Sequence, residues 1–304
     1  MTRSWLLSMV LAAAIAALIA TPAVGFARHA SPAVTVSGQV GAPTTYTLAQ
    51  LVALPQTTFT TSQRSWWGIR THTDSGISLE DLVNGAQPIL PAAKNALLRV
   101  TVNVSGRWGW PVTLALGELD PNFGNHPAYL ALKQDGWALP APELVVPGDV
   151  DGARTVFDVD RVTVGVQSPA PTTPPSAGAL TIEDGPFARV LTAAQLAALP
   201  AQTLQVRFLA GTAAQQHTEV GPTLSTVLRA ARIPFGLSTW VAAVGSDGYV
   251  ATVTPAEAFV GNRPLLISLN EDGQALAQPR LVVDGDVKGG RYVSGVVDLV
   301  AGHR

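Results

Sequence analysis

The chain has 304 residues and not one cysteine. That excludes disulfides, a thiolate nucleophile, cysteine-based zinc sites and iron–sulfur ligation. Charge is scarce as well: 13% of residues are Asp, Glu, Lys or Arg, and nineteen basic side chains nearly balance twenty-one acidic ones. A formal net charge of −2 gives no general pull toward nucleic acid or anionic membranes. The five histidines are scattered, with no pair one or three residues apart, so His72 with Asp74 is a loose metal candidate at best. No G-x-S-x-G elbow supplies a hydrolase nucleophile. What the chain does have is apolar side chains, 47% of the total, which is a globular composition.

Residues 1–27 read as an export signal. Arg3 gives the positive start, an apolar run extends from Trp5 to Ala20, and Gly25-Phe26-Ala27 offers small residues where a peptidase inspects the chain. A retained anchor is the alternative, although sixteen residues are short for a bilayer span. Cleavage after Ala27 would leave 277 residues with eighteen basic and twenty-one acidic side chains, periplasmic or secreted, and with no later apolar run of spanning length.

The remainder is written twice. Residues 144–154 (LVVPGDVDGAR) and 281–291 (LVVDGDVKGGR) agree at eight of eleven positions, at an offset of 137. Asp135-Gly136 and Asp272-Gly273 keep that offset, whereas LVALP at 51–55 and LAALP at 196–200 are 145 apart, as are Gly76 and Gly221. Thr47 with Gln50, and Thr192 with Gln195, form capping boxes of two short helices that stop before Pro55 and Pro200. Further helices are expected after Ser78 and Thr223, and at Thr254-Pro255 with Glu257. Strands are expected at 97–104, 144–146, 162–166, 240–244, 265–269, 281–283 and 296–300. Short helices among many strands, without βαβ alternation, define an α+β fold. The expected division is 28–167, a proline-rich linker at 168–179, and 180–304. Whether the two copies stay independent or pack as a pseudo-dimer is open.

Each copy resembles the molybdopterin-binding domain of sulfite-oxidase-type oxidoreductases. The likeness is carried by the opening strand, the TLAQLVALP-like helix, a Gly-apolar-x-Leu segment, Asp247-Gly248-Tyr249 followed by Thr-Pro-Ala-Glu, and the closing LVVPGD…G-x-R stretch. It covers about residues 33–166 and 179–301. It implies two tandem, strand-rich α+β domains and a cysteine thiolate on molybdenum. By pattern that cysteine falls in 60–64 (TTSQR) or 205–209 (QVRFL), and neither holds one. Ser62 is the nearest polar stand-in, a hydroxyl where softer metals favour thiolate. No ordered Arg, Lys and His cluster is set to clamp a pterin phosphate. Molybdopterin is therefore the family's candidate cofactor, and none is expected here. The resemblance points to a non-catalytic protein, with an oxidoreductase completed by Ser62 or water as the alternative.

The candidate ligand site is aromatic. Trp66, Trp67, Trp108, Trp110 and Trp137 all fall in the first copy, against Trp240 alone in the second, and Arg64, Arg70, His72 and Arg107 lie among them. Two or three should pack inside. The set Ser62, Arg64, Trp66, Trp67, His72, Arg107, Trp108 and Trp110 should form a concave patch that stacks a ring or holds an anion, for a small molecule or an envelope protein partner. The paired Gly-Asp-Val-x-Gly-x-Arg segments are expected to be structural, the Arg pairing with the Asp. The glycan-acceptor pattern at Asn103-Val104-Ser105 is discounted because it falls in a strand.

Overall fold

Alternation along single strands sets the layers. In the computed structural model, which describes residues 33–174 and 176–303, Val34 and Val36 are fully buried while Thr35 between them is not. The expected export signal at 1–27 lies outside the described residues.

The first half runs β1 (Ala33–Gly38), β2 (Thr44–Thr47), α1 (Leu48–Val52), β3 (Thr57–Ser65), β4 (Gly68–Ser78) and α2 (Leu79–Gly85). It continues with β5 (Val100–Gly106), β6 (Val112–Ala115), α3 (Leu116–Leu119), β7 (Tyr129–Gln134), β8 (Trp137–Val145) and β9 (Val159–Val166). The second half runs β10 (Leu180–Asp184), β11 (Phe187–Leu191), α4 (Ala193–Ala197), β12 (Ala201–Ala210), β13 (Ala213–Pro222) and α5 (Leu224–Ala231). Then follow β14 (Thr239–Gly245), β15 (Val250–Val253), α6 (Pro255–Phe259), β16 (Leu265–Glu271), β17 (Gln274–Val283) and β18 (Val296–His303). Each half holds two sheets. The orders are β2-β1-β9-β5-β6 and β3-β4-β7-β8 in the first, and β11-β10-β18-β14-β15 and β12-β13-β16-β17 in the second. Position by position the wiring is the same, down to the parallel pairs β1–β9 and β10–β18.

Local chemistry explains the punctuation. Thr47 and Thr192 accept from the Gln50 and Gln195 N–H groups, and each Gln reaches back to its cap N–H. Ser78 and Thr223 cap α2 and α5. In α5, Leu224, Val227, Leu228 and Ala231 are buried, one stripe of a 3.6-residue helix. Asp135-Gly136 and Asp272-Gly273 have positive φ at both residues, as two-residue hairpin turns require. One expected strand is shortened: Ala96–Arg99 forms a 3-10 turn that Asn95 enters at φ +51, so β5 begins at Val100. The polar arms β3, β4, β12 and β13 escaped the strand reading because their apolar content is too low. Asn103 is buried in β5 and donates to the Thr113 hydroxyl at 3.0 Å.

The halves pack together within one body. The Val150 N–H donates to the Val260 carbonyl at 2.8 Å, and the Val287 N–H donates to the Phe123 carbonyl at 2.7 Å. Because 150 and 287, like 123 and 260, are 137 apart, this is the reciprocal contact of a two-fold arrangement. Asn95 and Arg99 of the first half reach Tyr249 and Gly248 of the second, at 2.9 and 3.1 Å. The proline-rich segment is pinned as well. Thr172 donates its N–H, at 2.6 Å, and its hydroxyl to the Asp298 carboxylate on β18.

Candidate functional site

Most of the residues singled out in the sequence lie on the β3–β4 hairpin and on the loop between β5 and β6. Ser62 is exposed on β3. Arg64 pairs with Asp151 at 2.7 Å, which holds the hairpin on the 3-10 turn at Val150–Gly152. His72 donates to Asp135 at 2.8 Å, and the Thr73 N–H binds the same carboxylate at 2.9 Å. Those two bonds hold the Asp135 carboxyl below its usual range. His217 and Asp272 repeat the contact in the second half, so in both halves the histidine clamps the hairpin to the Asp-Gly turn. Arg107 is exposed, its backbone N–H bound to the Asp158 carbonyl.

The tryptophans correct the sequence reading. Trp66, Trp67, Trp108, Trp110 and Trp137 are between 69% and 93% exposed, so none of the five fills the core. Valine and leucine fill it instead. No tryptophan lines the cavities walled by Arg107 and Asp158, by Phe208 and Gln216, by Phe187 and Ile233, by Tyr46 and Leu82, or by Phe123 and Tyr292. The five indoles crown loop tips, with Trp66 and Trp67 ring centroids 5.8 Å apart.

The segments 60–64 and 205–209, where the resemblance would put a cysteine, do not fit a molybdenum–pterin group. On β3 the Thr61 hydroxyl is spent on the buried Asp74 carboxylate, whose other oxygen, Oδ1, has no partner. An unpaired carboxylate there repels anionic sulfur and phosphate alike. On β12, Val206 is fully buried against Leu266 and Val282. Neither segment offers a soft donor, and no group of three or more His, Asp or Glu side chains among the described residues is arranged for a metal.

The Gly-Asp-Val-x-Gly-x-Arg segments build an ionic centre between the halves. Buried Arg154 binds Asp149 through Nε at 2.6 Å and Nη2 at 2.7 Å, and Glu118 through Nη1. Buried Arg291 likewise binds Asp286 and Glu257, at 2.6–2.9 Å. Each arginine lies against the other half. A Cβ on Gly117 would stand 3.0 Å from Arg291 Cδ, and one on Gly261 would stand 3.0 Å from Arg154 Nη2. Burial alone would push the Glu118 carboxyl up, but Arg154, His126 and Arg291 outweigh it and hold it at about 2. For Glu257 burial prevails, aided by the Glu118 charge, and its carboxyl is raised. Fully engaged and shut off from solvent, this centre is structural.

A feature not singled out in the sequence is a cleft of about 640 Å³ between the halves. Lys94, Asn95 and Phe123 come from the first half, with Phe208, Tyr249, Lys288 and Tyr292 from the second. Phe208 lies on β12, within the cysteine-position segment 205–209, and its ring centroid is 4.3 Å from that of Tyr292. Tyr249 donates to the Gly290 carbonyl and accepts from Asn95. Tyr292 Oη has no partner, and burial, reinforced by Asp286 and Asp284, pushes its phenol up. Lys288 donates to Asn122 at 3.0 Å, and Lys94 is exposed; Asp247 is also in the wall. In the first half Arg64 and Asp151 pair where Leu209 and Lys288 face one another.

No protein-family model matches the chain, and no curated protein does. Among solved structures it is similar to the sulfane dehydrogenase SoxCD from Paracoccus pantotrophus. The identity is 15%, the coverage 87% of this chain and 77% of that one, and the TM-score 0.35. A likeness of that size carries no argument about activity. The fold itself is a strand-rich α+β body with four sheets.

Proposed function

We propose that the chain is an exported, non-catalytic binding protein built on two tandem sulfite-oxidase-type domains, residues 28–167 and 180–304, and that it takes a planar anionic small molecule between its halves. The observation carrying this reading is the wall of the cleft. Phe123, Phe208, Tyr249 and Tyr292 offer aromatic surface, Lys94 and Lys288 offer ammonium groups, and the Tyr292 hydroxyl is left unspent. A space of about 640 Å³ suits a ligand of drug size. Stacking on Phe208 and charge pairing at the rim together favour a flat ring bearing a carboxylate or sulfonate. With no thiol in either copy, the place the resemblance reserves for a cofactor keeps its concavity and loses its metal chemistry. Reading 1–27 as an export signal puts the protein in the periplasm or outside the cell.

Titration with 8-anilinonaphthalene-1-sulfonate, alongside a planar cation of similar size, tests this. The anion should bind saturably, and Phe208→Leu, which keeps apolar packing against Val206, and Lys288→Gln should each weaken it about tenfold, or ~1.4 kcal/mol, with little change in melting. Equal binding of the cation, or wild-type affinity in both variants, contradicts it.

A further inference from the structure

Five of the six tryptophans after residue 32 sit on the outside of the first half. The β3–β4 and β7–β8 turns lie at the same end of one antiparallel sheet. From Asp74, the last β4 residue paired with β7, the β3–β4 hairpin runs on for about 20 Å to Trp66 and Trp67. Trp137 opens β8 at the shorter turn. Trp108 and Trp110 follow Arg107, which lines a cavity of about 230 Å³ with Ala33, Pro140 and Asp158. The matching hairpin tip of the second half, Ala210–Ala213, carries no aromatic residue.

We propose that this tryptophan-bearing face seats in the headgroup layer of a phospholipid bilayer. Indole is the side chain of that layer, apolar in its body and a hydrogen-bond donor at one edge. The rings are spread over the β3–β4 tip, the start of β8 and the loop after β5, which suits a soft planar partner better than a knob from another protein. Arg70 and Arg107 are exposed and form no ion pair among the described residues, leaving two guanidinium groups for lipid phosphates. Where the chain enters the fold agrees. Ala33 lies beside Arg107, so the chain enters the fold at this face; the Trp5–Ala20 run, read above as part of a removable export signal, adds to the attachment only in a chain that keeps it. Asp151, Asp158 and Asp160 lie on the same side, so the attraction is led by indole rather than by charge.

The test uses the purified chain with phosphatidylcholine vesicles, with and without phosphatidylglycerol. Wild type should cosediment with both, shift its tryptophan emission to the blue, and be quenched by bromine-labelled lipid near the headgroups. The variant W66S/W67S/W108S/W110S, made in the same background so that residues 1–32 contribute equally, should partition at least about tenfold less with the same melting temperature. No blue shift, or undiminished partition by the folded variant, overturns the proposal. So does a wild-type dimer that the variant dissolves, which would assign the face to a second copy. Vesicle binding and anion binding in the cleft are read separately, so either reading can fail alone.

Discussion

Glu143 on β8 stands at the sheet position that Arg280 holds on β17. Glu143 is registered with Ala131, and Arg280 with Ser268, 137 residues on in both cases. In the second half the Arg280 guanidinium bridges Glu219, at 3.2 Å, and Glu271. In the first half the counterparts are Asp74 and Gln134, so a carboxylate faces a carboxylate. Burial, then the charges of Asp74 and Asp158, push Glu143 up to about 7. Glu80 is also raised to about 7, by burial and then by Asp120 and Asp81.

A carboxyl raised in the folded state stabilises below its ordinary value of 4.5, and that stability is lost as pH climbs through about 7. The protein should therefore melt at lower temperature at pH 8 than at pH 5. Glu143→Gln should flatten the slope and raise the pH 8 melting temperature by on the order of 2–4 °C. Melting curves by circular dichroism at the two pH values decide this. A steeper slope in the variant contradicts it.

Acid acts in the opposite sense on the ionic centre. With Glu118 held at about 2 against an ordinary 4.5, its contribution is complete above 4.5 and fades as pH falls toward 2. Acid should thus weaken the Glu118 side of the centre progressively below 4.5. Arg291→Met, which strips the buried Glu257 of its guanidinium and leaves Asp286 with Arg263 alone, should cost about 3–5 kcal/mol in urea unfolding at pH 7. A cost below about 1 kcal/mol would mean that the centre adds little.

The close approach of the halves makes a separate claim on two glycines. A methyl at Gly117 would meet Leu98 Cδ2 at 2.7 Å as well as Arg291, and one at Gly261 would meet the Glu257 carbonyl at 2.8 Å. Gly117→Ala and Gly261→Ala should each lower stability by about 1–3 kcal/mol. Gly85→Ala, with open space around it, should change stability by less than about 0.5 kcal/mol. Denaturant midpoints for the three variants provide the check.

Exposed and enclosed tryptophans should part company under substitution. Trp66→Ser and Trp67→Ser together should leave the melting temperature within about 2 °C. Gly302→Ala, which drives a methyl into the Trp240 ring, should lower it by more. Near-ultraviolet circular dichroism would follow Trp240 directly.

How far the sequence spoke depends on which part is asked. Caps and turns were legible because their signals are local: Thr47 with Gln50, Thr192 with Gln195, and the Asp-Gly turns all form as the residues direct. The Asp149–Arg154 and Asp286–Arg291 pairs were legible too, five residues apart. Their third partners, Glu118 and Glu257, were not, since 36 and 34 residues separate them from the arginines. The tryptophans misled because bulk and apolarity argue for burial whereas their backbone positions are turns. The cleft escaped because Lys94 and Phe123 meet Phe208 and Tyr292 only once the halves have packed.

The most direct measurement is molybdenum and pterin content, per chain, of protein purified from a molybdenum-replete host able to make the cofactor. A binding protein without a polypeptide sulfur donor should carry neither above background while still taking the sulfonate probe in its cleft. One molybdenum and one pterin retained per chain through chromatography would contradict the account.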